Sequence, residues 1–197
     1  MVRLRAFLLL AVALALPGRA VAAPEWQVLT QESTLSFTAD ESGTPTEGGF
    51  GQFEGTILFD PDDLAHARID VVVYMASVVG GFAALADELK KETWFASAAF
   101  PTAHYVATDI AKSADGHFEA HGTLTLRGVS APVDLAFHFD EMGPKAGASG
   151  VLRAVAAGHA TVMRTAFGVG QGAWAKTDEV ADAVAVTFKI TAERPAP

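Results

Sequence analysis

Histidine has the widest chemical range of the side chains in this sequence, since it can bind a metal or move a proton near neutral pH. The chain has 6 histidines and no cysteine. His117 and His121 stand roughly 13 Å apart along a predicted strand, so they cannot share a metal. His121 and His138 lie on neighbouring predicted strands, where a cross-strand pair could hold an adventitious ion. Two ligands fall short of a zinc shell, and we expect no metal site.

The other polar motifs predict turns rather than catalysis. Asp60, Asp62 and Asp63 suit a turn with side-chain caps, because a calcium loop needs a longer ligand series. The serines form no nucleophile elbow, and GVGQG at 168–172 lacks the strand–helix setting of a dinucleotide site. Its glycines form either an ordinary turn or a loop that folds Trp174 over one end of the protein. We expect neither a catalytic residue nor a cofactor.

Most of the chain alternates apolar and polar residues with a period of two, which predicts strands with one dry face. An antiparallel sheet of this kind is stable when it closes over its own core. The pattern therefore predicts one all-β domain. The predicted strands are 26–30, 34–40, 50–60, 66–75, 103–111, 116–127, 132–140, 151–164 and 180–192.

One segment has a helical period instead. Residues 80–91, GGFAALADELKK, place Phe82, Leu85 and Leu89 on one stripe. The remaining positions are small or charged, as expected of a face in water. We expect an amphipathic helix that covers one end of the sheet.

The segment 122–139, GTLTLRGVSAPVDLAFHF, predicts two strands joined by a short loop. We predict a register in which Arg127 faces Pro132 and His121 faces His138. This register keeps both apolar sets on one side of the sheet, whereas a slip of one residue would turn one set outward. The apolar cross-strand pairs are then Leu126–Val133, Leu124–Leu135 and Gly122–Phe137.

The predicted strand 151–164 has one face made of unusually small residues. This face consists of Ala154, Ala156, Gly158, Ala160 and Val162. Because protein interiors pack densely, the row either interdigitates with large residues opposite or leaves a channel. Both outcomes occur in closed sheets of about eight strands.

Residues 1–22 have the organisation of a secretory signal peptide. Arg3 and Arg5 precede the short apolar run 6–16, and Ala20-Val21-Ala22 fits a cleavage site. The apolar run is too short to span a bilayer as a helix. We expect a cleaved signal peptide at 1–22 and an exported domain at 23–197, with an uncleaved anchor as the alternative.

The exported domain is strongly acidic. Removing residues 1–22 takes away three arginines and leaves 11 basic against 23 acidic residues. Such a surface repels nucleic acid and anionic lipid, so we expect no nucleic-acid partner. An outer-membrane barrel would turn its apolar faces outward to lipid. The apolar stripe of the predicted helix needs an apolar surface to pack against, which inward-facing strands provide. We therefore expect no stable membrane insertion.

Taken together, these segments resemble the YceI-like family of exported, lipocalin-like isoprenoid-binding proteins. The resemblance covers nearly the whole mature chain, and no single segment carries it alone. The segments are Trp26 with Ser33, Leu35 and Phe37, then GGFGQFEGTILFDPDD (48–63), the Ser77-Val78 turn, LKKETWFASAAFPTAHY (89–105), GTLTLRGVSAPVDLAF (122–137) and RTAFGVG (164–170).

The resemblance implies an eight-stranded antiparallel lipocalin-like barrel with one amphipathic lid helix. It implies an apolar tunnel that binds a polyisoprenoid or fatty-chain lipid, a periplasmic location, no catalytic residues and, in many members, a homodimer. Arg164 matches the arginine of the family's Arg-x-x-Phe-Gly signature. We place it near a barrel end, as the partner of an acidic side chain or a polar headgroup.

We expect the ligand to contact the dry strand faces, the helix stripe and Arg164. A filled barrel that serves a membrane cytochrome through its acidic surface is one alternative function, and an enzyme acting on a hydrophobic substrate is another. The candidate ligand-binding residues are Phe37, Phe53, Ile57, Val71, Val73, Phe82, Leu85, Leu89, Phe118, Leu124, Leu126, Leu135, Phe137, Ala154, Ala156, Val162, Arg164, Val184, Val186 and Phe188.

Overall fold

The structure of the protein is a computed structural model that describes residues 23–197. The expected signal peptide, residues 1–22, lies outside the described residues. In chain order the elements are β1 (Glu25–Val28), β2 (Thr34–Glu41), β3 (Thr44–Phe50), β4 (Phe53–Leu58), β5 (Arg68–Tyr74), β6 (Val78–Gly80), α1 (Ala83–Leu89), β7 (Thr102–Lys112), β8 (Phe118–Leu126), β9 (Val129–Pro144), β10 (Val151–Met163) and β11 (Ala183–Pro195), with short 3-10 turns between some of them.

The strands form one antiparallel sheet that closes on itself. Its order is β1-β4-β5-β7-β8-β9-β10-β11-β2-β3-β6, and β1 also pairs with β11. Three pairs of consecutive strands each form one bent strand and occupy one position around the barrel, so the eleven strands fill eight positions. These pairs are β1 with β2, β3 with β4 and β5 with β6. The predicted eight-stranded antiparallel barrel with one helix is therefore confirmed. Among residues 23–197, no helix has the length and apolar character needed to cross a bilayer.

The apolar face of each strand points into the barrel, as the period of two predicts. On β10 the small residues face inward, and on β11 the branched and aromatic residues do so. Phe53 on β4 and Phe137 on β9, the strand next to β10, are buried. Burial of these faces is the main source of stability, because each buried CH₂ contributes about 0.8 kcal/mol.

The predicted register of the 122–139 hairpin is wrong by four residues. Leu126 pairs with Val129, and Gly122 pairs with Val133. The turn is only two residues long, because Arg127 and Gly128 both adopt positive φ values, 52° and 75°. This is the mirror-image turn that suits a tight hairpin. A shift of four residues keeps every side chain on its predicted face, which is why the fold tolerates the error.

The predicted helix 80–91 is shorter than expected. It begins at Ala83 because Phe82 is extended, with φ −149° and ψ 153°. Gly80 belongs to β6, where it pairs with Gly48 on β3. The sequence pattern did not predict β6 or most of β3, because short glycine-rich stretches show little alternation of apolar and polar residues.

Glycines in the barrel wall make room for aromatic rings from the neighbouring strand. A Cβ added at Gly122 would lie 2.2 Å from the hydroxyl oxygen of Tyr105. That hydroxyl lies 3.1 Å from the carbonyl oxygens of Ala120 and Val133 and donates to one or the other. Burial raises the pKa of the Tyr105 phenol, so it stays a neutral donor inside the barrel.

We expect Gly122→Ala to destabilise the protein by about 1–3 kcal/mol, because the added methyl group overlaps the Tyr105 ring. Gly143→Ala is the matched control, since a Cβ at Gly143 meets no atom within 4 Å. Urea unfolding monitored by circular dichroism gives both free energies. Equal stability of the two variants would show that the Tyr105 ring moves aside without cost.

Candidate functional site

The barrel encloses an apolar cavity of about 300 Å³. Such a volume lies at the lower end of the range typical of small-molecule sites. Among the described residues that line it, Ser36, Tyr105 and Arg164 are the polar ones apart from the tryptophan indoles. Hydrophobic burial is therefore the main interaction that this cavity can offer a ligand.

The cavity extends along most of the barrel. Both Ala154 and Val162 on β10 line it. These positions are about 26 Å apart along the strand, which is about 20 Å along the axis for a typical strand tilt. Ala156 and Ala160 between them also line it, whereas the space beside Gly158 is filled by Phe137 and Phe188. The structure therefore shows both outcomes predicted for this strand, with interdigitation at Gly158 and a channel along the alanines.

A cluster of aromatic rings closes the barrel at the end remote from α1. Phe59 packs against Phe118, Phe137 and Phe139 with ring centroids 5.3, 6.0 and 5.3 Å away. Trp26 lies at the same end and donates from Nε1 to the Phe59 carbonyl over 2.9 Å. We call Phe59, Phe118, Phe137 and Phe139 the floor.

The opposite end is covered by α1, by residues 90–101 and by the loop 164–182, which we call the lid end. Leu89, Trp94 and Phe95 line the cavity there. Phe95 packs against Phe37 and Phe50 at 6.3 and 5.7 Å. A backbone hydrogen bond from Gln171 to the Thr93 carbonyl, 2.7 Å long, joins the loop 164–182 to residues 90–101.

Most of the predicted ligand-binding residues line the cavity, and three do not. Phe82 is 63% exposed, because it precedes α1 and is not on its stripe. Leu85 packs against Gly80 outside the cavity, and Phe118 belongs to the floor, where it stacks on Phe137 without lining the cavity. The predicted residues that line it are Phe37, Phe53, Ile57, Val71, Val73, Leu89, Leu124, Leu126, Leu135, Phe137, Ala154, Ala156, Val162, Arg164, Val184, Val186 and Phe188.

Several lining residues that were not among the predicted ligand-binding residues lie at the lid end. Trp94 and Phe95 follow α1 in an irregular turn that contains Ala96 at φ 48°. Met75 lies in a short 3-10 turn after β5. Neither stretch has a period of two or 3.6, so periodicity alone could not place these side chains. For Trp94 and Phe95, the one available signal was their apolar character just after the helix stripe.

Arg164 is buried and organises the loop that follows it. Its guanidinium donates to the carbonyl oxygens of Ala181, Val169, Lys176 and Val180 over 3.0, 2.9, 2.8 and 2.7 Å. Its described partners are therefore backbone carbonyls and not an acidic side chain, which was one of the two partners that we predicted. Arg164 still borders the cavity, but its principal role is to hold the lid-end loop in place.

Trp174 reaches the lid end through the glycine-rich loop. Gly168, Gly170 and Gly172 all have positive φ values, from 65° to 79°, which side chains with a Cβ rarely adopt. The backbone turns at these positions, and Trp174 packs against Trp94 with ring centroids 5.6 Å apart. The folded-over arrangement of Trp174 is thus the one that the structure shows.

The histidines lie on the outer surface, and five of the six, all except His159, each lie beside an aspartate. The expected His121–His138 pair is wrong because of the shifted register: His121 faces Asp134, with Nδ1 3.0 Å from Oδ1. Within residues 23–197, Glu119, His121 and Asp134 are the group with donor atoms close enough for a metal ion. All three are exposed, and none of them lines the cavity.

We expect NMR to show an elevated pKa for His121, chiefly because its imidazole hydrogen-bonds to Asp134. A raised pKa means that this pair stabilises the fold fully below about pH 6.5, and that the contribution is lost as pH rises through the folded-state pKa. Asp134→Asn should lower the pKa of His121, whereas Asp115→Asn should leave it unchanged. An unchanged pKa in Asp134→Asn would contradict the pairing.

Solved structures with this fold support the architecture. Burkholderia cenocepacia BcnA superposes with a TM-score of 0.74 at 26% identity, covering 83% of this chain and 98% of that protein. The Campylobacter jejuni YceI protein gives a TM-score of 0.65 at 20% identity, covering 76% and 85%. A polyisoprenoid binding domain from Saccharophagus degradans gives 0.64 at 15% identity, covering 86% and 98%. The last two likenesses, at low identity, concern the fold alone.

Sequence comparisons agree with the structural ones. A UPF0312 protein of Shewanella denitrificans is 29% identical over 133 residues, which is 66% of this chain and 69% of the relative. A UPF0312 protein of Yersinia pestis is 34% identical over 88 residues, 45% of each chain. The family model described as YceI-like domain matches residues 26–192, from Trp26 on β1 to Ala192 on β11. The chain therefore belongs to the YceI-like family.

Proposed function

We propose that this protein binds a long-chain isoprenoid, or a similar amphiphilic lipid, inside the barrel and carries or shields it in the periplasm. The observation that supports this is the enclosed apolar cavity between the floor and the lid end. The solved domain from Saccharophagus degradans, described as polyisoprenoid binding, shares this fold. The resemblance of residues 1–22 to a signal peptide supports export.

Burial of a tail is a sufficient driving force for binding. Each CH₂ removed from water contributes about 0.8 kcal/mol, so a few isoprene units supply on the order of 10 kcal/mol. Association costs at least several kcal/mol in lost translational and rotational freedom. The tail therefore determines most of the affinity, and tail length and girth determine most of the selectivity.

We assign no catalytic role to the cavity. Its Tyr105 hydroxyl is occupied by backbone carbonyls, and the Arg164 guanidinium donates to four carbonyls of its own loop. The histidines, which could move protons, lie outside the barrel. The family relationship is consistent with a binding protein rather than an enzyme.

Native mass spectrometry of protein purified from its periplasmic fraction, followed by organic extraction, tests the proposal. We expect an apolar molecule to co-purify, and delipidated protein to bind an added polyprenyl lipid in a one-to-one complex. An empty protein that ignores polyprenyl and fatty-chain lipids would overturn the proposal. If such a protein instead bound a membrane cytochrome, the redox-partner alternative would take its place.

A further inference from the structure

Phe59 is the central ring of the floor and crosses the inside of the barrel. It follows directly after β4, and the residue is 3% exposed. The centroid of its ring lies 5.3 Å from that of Phe118 on β8 and 5.3 Å from that of Phe139 on β9. Around the closed sheet β9 lies opposite β4. A side chain from one wall therefore reaches the aromatic rings of the opposite wall.

The backbone of Phe59 is fixed on both sides of its side chain. Its amide donates to the Pro24 carbonyl over 3.0 Å, and its own carbonyl accepts the bond from the Trp26 indole. The indole bond is buried, so a movement that broke it would leave a buried donor without a partner. The Phe59 ring is therefore held in place and does not swing aside without a substantial loss of free energy.

Phe59 is also in direct contact with the cavity. It lines the cavity together with Phe137 and Phe139, whereas Phe118, the remaining ring of the floor, does not. Packed side chains give way little to an oversized group, because they must leave their preferred rotamers to do so. A tail that extends from the lid end would therefore stop at the Phe59 ring, and its further carbon atoms would stay at the lid end.

We propose that Phe59 sets the maximum length of prenyl tail that the barrel can bury, because the end of the tail stops at its ring. This inference rests on the proposed function and deepens it, since it limits the ligand class by tail length and identifies the residue that sets the limit. Carbon atoms up to this limit gain free energy from burial, whereas those beyond it remain in contact with water and gain none.

A series of prenyl alcohols, from geraniol through farnesol and geranylgeraniol to solanesol, tests the inference on delipidated protein. Competition between neighbouring lengths, measured by native mass spectrometry, gives the ratios of affinity. For the wild type we expect the affinity to rise by at least about tenfold with each isoprene unit that enters the barrel, and then to level off at a limiting length. At that length, the terminal methyl groups of the tail should show nuclear Overhauser effects to the Phe59 ring.

Phe59→Ala should lengthen the tail that the barrel accepts. The substitution removes a phenyl ring, which contains nearly the same number of carbon atoms as an isoprene unit, and the surrounding structure closes the space only in part. We therefore expect the limiting length to increase by about one isoprene unit. The first tail beyond the wild-type limit should bind at least about tenfold more tightly to Phe59→Ala than to the wild type.

Phe118→Ala is the matched control, since it removes a ring of the same floor that does not line the cavity. It should leave the limiting length unchanged. Because loss of a buried ring can unfold a protein, Phe59→Leu and Phe118→Leu form a second pair that removes less volume. Phe59→Leu should bind the first over-length tail more tightly than the wild type does, and Phe118→Leu should not. Circular dichroism verifies the fold of each variant.

Three results would overturn the inference and leave the carrier proposal standing. The first is a wild-type affinity that keeps rising as far as solanesol. The second is a limiting length that stays the same in the folded Phe59 variants, and the third is the absence of contacts between the end of the tail and the Phe59 ring. Failure of the wild type to bind any of these prenyl alcohols would overturn both this inference and the proposal of an isoprenoid carrier.

Discussion

Ala156→Trp is expected to abolish lipid uptake while the barrel stays folded. Ala156 lines the cavity midway along β10, opposite Phe139 on β9 and Ile190 on β11. An indole at this position occupies the channel that the small residues leave open. If it excludes only four CH₂ groups of the tail, binding weakens by about 3 kcal/mol, which is roughly a hundredfold in affinity.

The control is Ala157→Trp on the next residue. Ala157 pairs with His138 and Lys189 and does not line the cavity, so an indole there points away from the ligand. Titration of each delipidated variant with a polyprenyl lipid gives the affinities, and circular dichroism with thermal unfolding verifies the fold. Uptake by Ala156→Trp at the wild-type level would mean that the lipid does not occupy this channel.

Arg164→Ala should produce the largest loss of stability among single substitutions at the lid end, about 3–5 kcal/mol. The reason is that the buried guanidinium donates to four carbonyls, and its removal leaves those acceptors unsatisfied. The loop 164–182 should loosen first, because these bonds join its beginning to its end. Arg164→Lys should recover only part of the loss, since lysine lacks the planar fork of donors.

Arg68→Ala is the control for this second substitution. Arg68 donates to Asp70 over 2.6 Å at a partly exposed site on the outer wall, where an ion pair is worth about 1 kcal/mol or less. Urea unfolding curves with a common slope give the three free energies. A loss below 1 kcal/mol in Arg164→Ala would show that water replaces the guanidinium without penalty. That outcome would contradict the role of Arg164 in holding the loop 164–182 in place.

The sequence predicted those parts of the barrel where a single regular period runs through a strand. On β10 and β11 the alternation alone places the inward residues correctly, from Ala154 to Phe188. The hairpin after β8 was misjudged because Pro132 looked like the end of a loop. In fact Pro132 lies within β9, opposite Thr123, and the turn uses only Arg127 and Gly128.

The candidate site was predicted less completely at the lid end, for a physical reason. Side chains such as Trp94 are placed by tertiary contacts, here the Arg127 guanidinium and the Trp174 ring, and not by a local repeat. Arg164 was rightly placed near a barrel end, but its partners come from a loop whose path depends on positive φ values at Gly168 and Gly170. Long-range contacts of this kind leave no periodic signal in the chain.

For the carrier that we propose, the aromatic rings packed across the floor leave the lid end as the path for the lipid. A lipid that enters tail first must leave head first through the same opening, so uptake and release follow one path in opposite directions. The protein must then bind the lipid donor and the lipid acceptor one after the other, because a second lipid cannot enter behind the first and displace it through the far end. For the carrier that we propose, we expect the speed of delivery to depend on how often the cover over Leu89 and Phe95, which line the cavity, opens, and to become independent of acceptor concentration once the acceptor is abundant.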